Sequence, residues 1–422
     1  MTVRAGARET DVRGPGLLAG YRVLELPGEP AAFAGRVFAD LGAAVTKVEP
    51  VEGDPLRETP PFAVGGDGPA ASLSWEWFAA GKRSITLDLE QPAGRRLLDP
   101  LVRASDVVLS AYRPRELTAL GLNRATIPEV WPGVVFVSVT PFGLDGPKAD
   151  WPASDLTLWA ASGYLYLTGD TDRPPVRVSF PPQACLHGSL MAVAGALIAL
   201  QHRAATGRGQ VVDVSLQQAL AWLTVHAPFI WDVQRENIAR AGYWRRFGRT
   251  WVRSVFPCRD GYVVWMLMGG RPGRANRRLV AWMAEEGMAP EWLQSLDWES
   301  LNGVEASQEQ IEQIADVFAA FFATKTKREL FERAIREQCM IAPVHTIADL
   351  LADEQLDARR FWRNGSATGV DRFPGPALRF SGDPMQARAV APGLGQDNAL
   401  VYLDELGLSD GDLAALAAQG AV

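Results

Sequence analysis

Residues able to do chemistry cluster in the segment PPQACLHGSL, just before a long apolar stretch. Cys185 could supply a thiol nucleophile, and His187 could act as a general base or a hydrogen-bond donor. Gln183 could cap a helix or bond to a partner chain. The more ordinary roles are a small buried residue for Cys185 and a structural side chain at a helix start for His187. Between Val176 and Gln201 there is no Asp or Glu, so this segment itself offers no carboxylate.

Other patterns argue against several classes of site. The three cysteines are far apart and form no CxxC pair, which argues against a disulfide framework or a zinc site. The four histidines lack metal-ligand spacing, so we predict no metal. The first strand-to-helix turn reads LPGEPAAFAG rather than GxGxxG, which argues against a nicotinamide or flavin enzyme.

Composition is that of a globular protein. The 422 residues are 47% hydrophobic and 22% charged, with a net charge of −7 spread along the chain, which predicts no nucleic-acid partner. The basic cluster Arg245, Arg246 and Arg249 could contact an anion, although a solvated surface is the commoner role. The first residues lack the apolar core of a signal peptide, and no apolar run reaches the ~20 residues of a membrane span. We therefore expect a cytoplasmic protein without membrane contact.

Alternating strands and helices in the first half of the chain predict an α/β fold. A strand, a helix begun by Pro30 and ended by Gly42, and a second strand form a βαβ unit, expected to be parallel and right-handed. The alternation repeats, which predicts a Rossmann-like, doubly wound sheet. The predicted strands are Tyr21–Leu26, Ala44–Val48, Ser84–Leu89, Asp106–Ser110, Val134–Val139 and Gln210–Ser215, and the main helices are Ala31–Leu41, Ala93–Ala104 and Leu190–Arg203.

The middle of the chain predicts a smaller α+β domain. Composition shifts there toward Trp and Arg, and a strand at Gly261–Met268 is followed by three helical patterns. We assign residues 1–20 to a flexible N-terminal tail and 21–225 to the first part of the large Rossmann-like domain. Residues 226–335 form the small domain, and 336–422 return to complete the large one.

Several segments, in order, resemble the family III CoA-transferases, which include formyl-CoA transferase, carnitine CoA-transferase and the α-methylacyl-CoA racemases. The opening Arg22–Glu49 is similar to the family's first βαβ unit, and Thr206–Ser215 (TGRGQVVDVS) is the most specific match. The other matching segments are GDPLR (53–57), GKRSITLDL (81–89), FGLDGP (142–147), IAPVHT (341–346) and LGQDN (394–398).

The resemblance implies a fold and a chemistry. The family's large domain is built from both chain ends, its small domain comes from the middle, and two subunits interlock like links of a chain. Its transferases use an aspartate nucleophile, which forms a mixed anhydride and then an enzyme–CoA thioester. Coenzyme A or acyl-CoA is therefore expected as a substrate, not as a tightly bound cofactor. The positions expected to contact it are Arg57, Lys82, Arg83 and Tyr112.

This sequence departs from the family pattern at the nucleophile. The aspartate is expected four residues before the glycine that opens the Ala-rich helix, and Ala184 stands there. Positions associated with CoA also differ, since Pro50 and Ala119 stand where arginines are expected and Ala111 with Tyr112 replaces an NF pair. A methyl group cannot attack a thioester, so the family mechanism gives this chain no catalytic residue of its own.

The racemase chemistry of the family is also altered. Its histidine stands before the aspartate matched by Asp155, and Ser154 occupies that place. The aspartate that the racemases share with the transferases is also missing, so proton abstraction by this histidine and aspartate is not expected. We interpret Asp155 as a turn or cap residue and Asp170 as a loop residue.

Three functions remain open from the sequence. The chain could be the non-catalytic subunit of a heteromeric CoA-transferase, paired with an Asp-bearing homologue. It could be an independent lyase, isomerase or hydratase acting on a CoA ester or related acid, with Cys185 or His187 in a chemical role. It could also be a binding or regulatory protein that keeps the fold without catalysis. For the chain in general, the resemblance implies a homodimer or a heterodimer with an Asp-bearing family III homologue.

Overall fold

A six-stranded parallel sheet organises the larger of two units in the computed structural model, which describes residues 16–63, 72–178, 182–364, 372–381 and 390–422. The strand order is β3-β2-β1-β4-β5-β6, which confirms the predicted α/β fold. The strands are β1 (Arg22–Glu25), β2 (Ala44–Glu49), β3 (Arg83–Thr86), β4 (Val107–Ser110), β5 (Val135–Thr140) and β6 (Val211–Ser215). The order reverses between β1 and β4, and open sheets of this kind bind ligands outside the carboxyl ends of the strands at that point.

Helices connect these strands and cover the sheet. They are α1 (Glu29–Asp40), α2 (Leu73–Ala79), α3 (Pro92–Arg103), α4 (Pro114–Ala119), α5 (Ile127–Val130), α6 (Asp155–Ala161), α7 (Ala184–Thr206), α8 (Leu216–Ala221) and α9 (His226–Gln234). The main difference from the prediction is α7, which begins at Ala184, six residues before the predicted start at Leu190. Cys185 and His187 therefore lie in the first turn of this helix, directly after Gln183.

Small residues let α1 and α7 pack closely in one core cluster. Ala31 and Ala34 of α1 and Ala192 and Ala196 of α7 are fully buried there. By length and composition α7 is the one helix among the described residues that could span a membrane. The core helix of a soluble protein can be equally long and apolar, and the buried alanines of α7 lie in the core shared with the sheet strands.

The smaller unit has its own strands, helices and aromatic core. Trp265 stacks on Phe318 with ring centroids 4.1 Å apart, and both are buried. The strands are β7 (Trp244–Phe247), β8 (Thr250–Arg253), β9 (Val255–Cys258), β10 (Gly261–Trp265) and β11 (Ile341–Pro343), and the helices are α10 (Arg274–Glu285), α11 (Glu291–Gln294), α12 (Gln308–Phe322), α13 (Lys327–Glu337) and α14 (Ile347–Leu351). Strands β9, β10 and β11 pair in one antiparallel sheet, and β7 pairs with β8.

Each of the two units is built from more than one stretch of the chain. The larger unit comprises the chain up to Leu165, Arg177–Glu236 and Gln355–Val422, and the smaller one comprises Tyr166–Val176 and Asn237–Glu354. Helix α9 thus belongs to the larger unit, whereas the predicted boundary lies before it. Residues 1–15 of the predicted tail lie outside the described residues, and 16–20 are attached to α1 through the Leu18 N–H, which donates to the Leu41 carbonyl.

The C-terminal part of the chain returns to the edge of the large sheet. It contains α15 (Glu354–Ala358), β12 (Trp362–Asn364), β13 (Arg372–Pro374), a π-helical turn (Leu400–Glu405) and α16 (Asp410–Ala418). The backbone N–H of Ser84 donates to Asp397 and that of Thr86 to Asn398, both at the exposed edge of β3. The LGQDN segment therefore satisfies backbone groups that an edge strand would otherwise leave unpaired.

Candidate active site

The loops after β1 and β4 meet at the point where the strand order reverses. Gly28 has φ +129°, and a Cβ built on it would lie 2.5 Å from the Cβ of Ala111. Only glycine fits this close approach. The hydroxyl of Ser189 in α7 donates to the Pro30 carbonyl in α1 over 2.9 Å. The starts of α1 and α7 are thus held together beside the carboxyl ends of β1 and β4.

Ala184 lies at the start of α7, where a carboxylate from another helix satisfies the backbone. The N–H groups of Gln183 and Ala184 both donate to Oδ1 of Asp155 over 2.7 Å. The Ala184 side chain is fully buried. Asp155 therefore caps α7, and its negative charge is favourable at a helix N-terminus. Helix α6, which Asp155 begins, is capped instead by the Ser154 hydroxyl.

Cys185 is poorly placed to be a thiolate. Burial raises the pKa of its thiol, and the carboxylates of Glu29 and Asp155 raise it further. Because the thiolate is the nucleophilic form, a thiol held protonated at neutral pH is a weak nucleophile.

His187 packs against an aromatic side chain. Its ring lies 5.7 Å from that of Trp159 in an edge-to-face arrangement. Burial lowers the pKa of His187 despite the opposing effect of Asp155, so the imidazole is neutral at pH 7. Gln183 precedes α7, and its side chain makes no capping hydrogen bond to that helix.

Glu29 is a carboxylate that sequence reasoning missed in this region. It is the first residue of α1, after Gly28, and its side chain reaches solvent. Within the described residues its carboxylate has no hydrogen-bond or salt-bridge partner. Crowding by neighbouring protein atoms raises the pKa of Glu29, and the charges of Asp155 and Asp54 raise it further. The signal for it was the acidic residue before Pro30 in LPGEP, the usual composition of a helix start.

Two of the four expected CoA contacts, Arg57 and Lys82, are buried in ion pairs. Arg57 makes a bidentate contact with Glu49, through Nε at 2.7 Å and Nη2 at 2.8 Å. Lys82 Nζ lies 2.6 Å from Glu25. Burial lowers the pKa of Lys82 to about 8 although Glu25 opposes the shift. Both cations are therefore neutralised within this chain.

Glu25 holds a second lysine from the neighbouring strand. Lys47 Nζ lies 3.0 Å from Glu25 and 2.8 Å from Asp54. Burial alone would lower the pKa of Lys47, but these two carboxylates raise it above its ordinary value. The result is a buried, charge-balanced cluster beneath α1.

The other two expected contacts have different partners. Arg83 pairs with Glu405 at 2.7 Å near the amino end of β3. Tyr112 follows β4, and burial together with the charge of Glu116 raises its pKa to about 12, although the charge of Lys47 opposes this shift. CoA contact by any of the four side chains stays a prediction.

The comparison with protein families decides the assignment. Residues 18–398 match the model described as CoA-transferase family III. The chain belongs to this family. It is similar to a subunit of the succinyl-CoA:(R)-benzylsuccinate CoA-transferase of Thauera aromatica, with 34% identity over 91% of this chain and 93% of that one. It is also 30% identical to the succinyl-CoA–D-citramalate CoA-transferase of Chloroflexus aurantiacus, over 96% of this chain and 98% of the relative.

Further relatives bear on assembly and fold. The β subunit of the succinyl-CoA–L-malate CoA-transferase of Chloroflexus aurantiacus is 28% identical, over 93% of this chain and 95% of the relative. The crystal structure of a CAIB/BAIF family protein from Brucella suis superposes with a TM-score of 0.78 at 24% identity. It covers 93% of this chain and 100% of the other, which shows a shared fold.

Two motifs typical of family III CoA-transferases have structural roles in this chain. In TGRGQ, Gly207 ends α7 in the left-handed conformation, and a Cβ on Gly209 would lie 2.0 Å from the Val134 carbonyl oxygen. In FGLDGP, the Leu144 N–H donates to Asp213 of β6 over 3.1 Å. These motifs therefore fix turns around the sheet.

Proposed function

We propose that this family III chain takes part in CoA transfer between an acyl-CoA and a carboxylic acid as the subunit without the aspartate nucleophile. The observation that supports the proposal is the start of α7, where the buried methyl of Ala184 stands at the position at which the family resemblance predicts the nucleophile. The backbone N–H groups there are taken by Asp155 rather than left for a ligand. An Asp-bearing homologue would supply the nucleophile, and acyl-CoA would be a substrate in the cytoplasm rather than a resident cofactor.

A group of exposed apolar side chains supports association with a partner. Trp222, Phe229 and Val233 are 76%, 62% and 81% exposed. Trp222 begins a short 3₁₀ helix just before α9, and Phe229 and Val233, four residues apart, share one face of α9. Large apolar side chains exposed in this way are typical of an interaction surface. The malate and benzylsuccinate relatives are themselves named as subunits, which favours a related chain as the partner.

The thiol alternative has less support. An independent enzyme using Cys185 needs a thiolate, and the surroundings of this thiol raise its pKa. A role for His187 as a base requires a substrate within hydrogen-bond reach of a ring that packs against Trp159.

Co-expression tests the proposal. The chain is produced alone and together with Asp-bearing family III homologues from the same genome, and succinyl-CoA-dependent transfer is measured for each preparation. We expect a copurifying pair whose rate exceeds that of the chain alone by a factor on the order of 10³ or more, as for loss of a nucleophile. Replacing the partner's aspartate with alanine should abolish this rate. Equal activity of the chain alone would contradict the subunit proposal, and binding without activity in every pair would favour the regulatory role.

A further inference from the structure

One arginine of the smaller unit lies on the buried side of a pair of strands. The sequence marks Arg245, Arg246 and Arg249 as a basic cluster, and of these Arg245 is partly buried whereas the other two are exposed. Arg245 pairs with Val252 across β7 and β8, and paired residues share one face of such a ribbon. Val252 is 1% exposed and belongs to the core of this unit. The Arg245 side chain therefore starts on the core-facing side.

Carbonyl groups hold the Arg245 guanidinium. Its Nη2 donates to the Leu267 carbonyl over 2.7 Å, and its Nη1 donates to the Arg246 carbonyl over 3.4 Å. In the described part of the chain its Nε is buried without a hydrogen-bond partner, and no carboxylate forms a salt bridge with it. Cations that lie inside a protein are normally paired, so one donor and one positive charge remain unsatisfied here.

A hydroxyl group lies beside this guanidinium. Ser254 follows Val252 by two residues, which places its side chain on the same face as Arg245. Its Oγ is also buried and has no hydrogen-bond partner among the described residues. The loop after β10 packs against the same ribbon, since a Cβ on Gly269 would lie 3.1 Å from the Phe247 ring. Two unpartnered donors thus share one face with apolar side chains.

We propose that Arg245 and Ser254 form a binding site for the carboxylate of a small acid with a short apolar chain. Water would satisfy the two donors but brings no charge to balance the guanidinium. One carboxylate does both, through charge-assisted hydrogen bonds, whereas a phosphate dianion would leave an excess negative charge. The inference goes beyond the proposed subunit role, because the site belongs to the smaller unit and the start of α7 to the larger one.

Saturation-transfer NMR on the full chain tests the site with propionate as the probe, at constant ionic strength. We expect propionate to bind at tens of millimolar or below. Ser254→Ala should weaken its affinity about tenfold, because a hydrogen bond to a charged group is lost. Arg245→Lys keeps the charge but lacks Nε, and should weaken binding by at least as much. The matched control is Arg249→Met, which removes an exposed arginine of the same ribbon and should leave binding unchanged.

Thermal unfolding without propionate separates a ligand-binding role from a structural one. Ser254→Ala removes a hydroxyl that has no partner, so its melting midpoint should equal or exceed that of the unaltered chain. A lower midpoint would show that the hydroxyl is bonded in the ligand-free chain and would overturn the proposal. Absence of propionate binding, undiminished binding by Arg245→Lys, or equally tight binding of methylphosphonate would overturn it too. These results leave the co-expression test unaffected, because neither residue enters the proposed transfer.

Discussion

Replacing Arg57 with methionine should destabilise the larger unit rather than weaken contact with CoA. The Arg57 guanidinium makes two hydrogen bonds to Glu49, donates to the Pro392 carbonyl over 3.2 Å, and lies 3.8 Å above the Trp75 ring. Glu49 is completely buried and also accepts a hydrogen bond from Ser84. Methionine keeps much of the packing but leaves the Glu49 carboxylate without its cation.

The size of the expected loss of stability follows from the burial of the Arg57–Glu49 ion pair. Breaking a buried ion pair by removing one partner costs about 3–5 kcal/mol, since the remaining charge is left uncompensated. For a unit of this size, that loss corresponds to a fall in the melting midpoint of roughly 5–8 °C. Removing both charges, in Arg57→Met with Glu49→Met, should cost less than the sum of the two single changes.

Thermal unfolding and CoA calorimetry on the same samples provide the measurement. The matched control is Arg96→Met, an exposed arginine of α3, for which we expect a change within about 0.5 kcal/mol. Affinity for CoA, measured below the unfolding transition, should stay unchanged in Arg57→Met. The reasoning is refuted if the midpoint of Arg57→Met matches that of the control while its CoA affinity falls about tenfold, because that pattern is the one expected of a direct ligand contact.

Four further outcomes follow from the site and its surface. Ala184→Asp should give the isolated chain succinyl-CoA-dependent transfer above its own background; an unchanged rate would show that the altered CoA positions also prevent reaction. Because the pKa of Glu29 lies above its ordinary value of 4.5 in the folded state, ionisation opposes folding, and Glu29→Gln should raise the melting midpoint more at pH 7 than at pH 4. Cys185 should react with iodoacetamide at pH 7.5 more slowly than in urea-unfolded chain, and equal rates would argue against its raised pKa. Trp222→Glu should weaken association in size-exclusion chromatography while the far-ultraviolet spectrum stays unchanged, unlike a change that unfolds the chain.

Much of the architecture could be predicted because it depends on local patterns. The strand at Ala44–Val48 and the helix near Ala31–Leu41 follow from apolar periodicity with Pro30 and Gly42 at the helix ends, and both form within one or two residues of the prediction. The early start of α7 was missed because its cap, Asp155, comes from a distant segment, and no local residue signals it. Apolar periodicity reveals the buried face of a helix. It gives no sign of a capping residue that comes from a distant segment of the chain.

The candidate site was less accessible to sequence reasoning for a related reason. The basic residues Arg57 and Lys82 match positions expected to contact CoA, but a basic residue type does not reveal a buried carboxylate partner such as Glu49 or Glu25. Nothing in the sequence around Ala184 points to Glu29, which lies far from Ala184 along the chain. Contact between α1 and α7 joins residues more than 150 positions apart, and only the folded chain brings them together.

The carboxylates around Ala184 also limit what restoring the family residue can achieve. An aspartate introduced at position 184 would lie beside Asp155, which caps the same turn, and next to Cys185, whose pKa is raised by the charges of Glu29 and Asp155. Neighbouring negative charges disfavour ionisation, so the pKa of the introduced carboxyl should be raised. Transfer by Ala184→Asp should therefore increase with pH more steeply than transfer by an Asp-bearing homologue. Glu29→Gln removes one of these charges and should move the profile of Ala184→Asp toward lower pH. If Glu29 is instead remote from the reacting carboxyl, the two profiles will coincide, and the same measurement then argues against a role for Glu29 in this site.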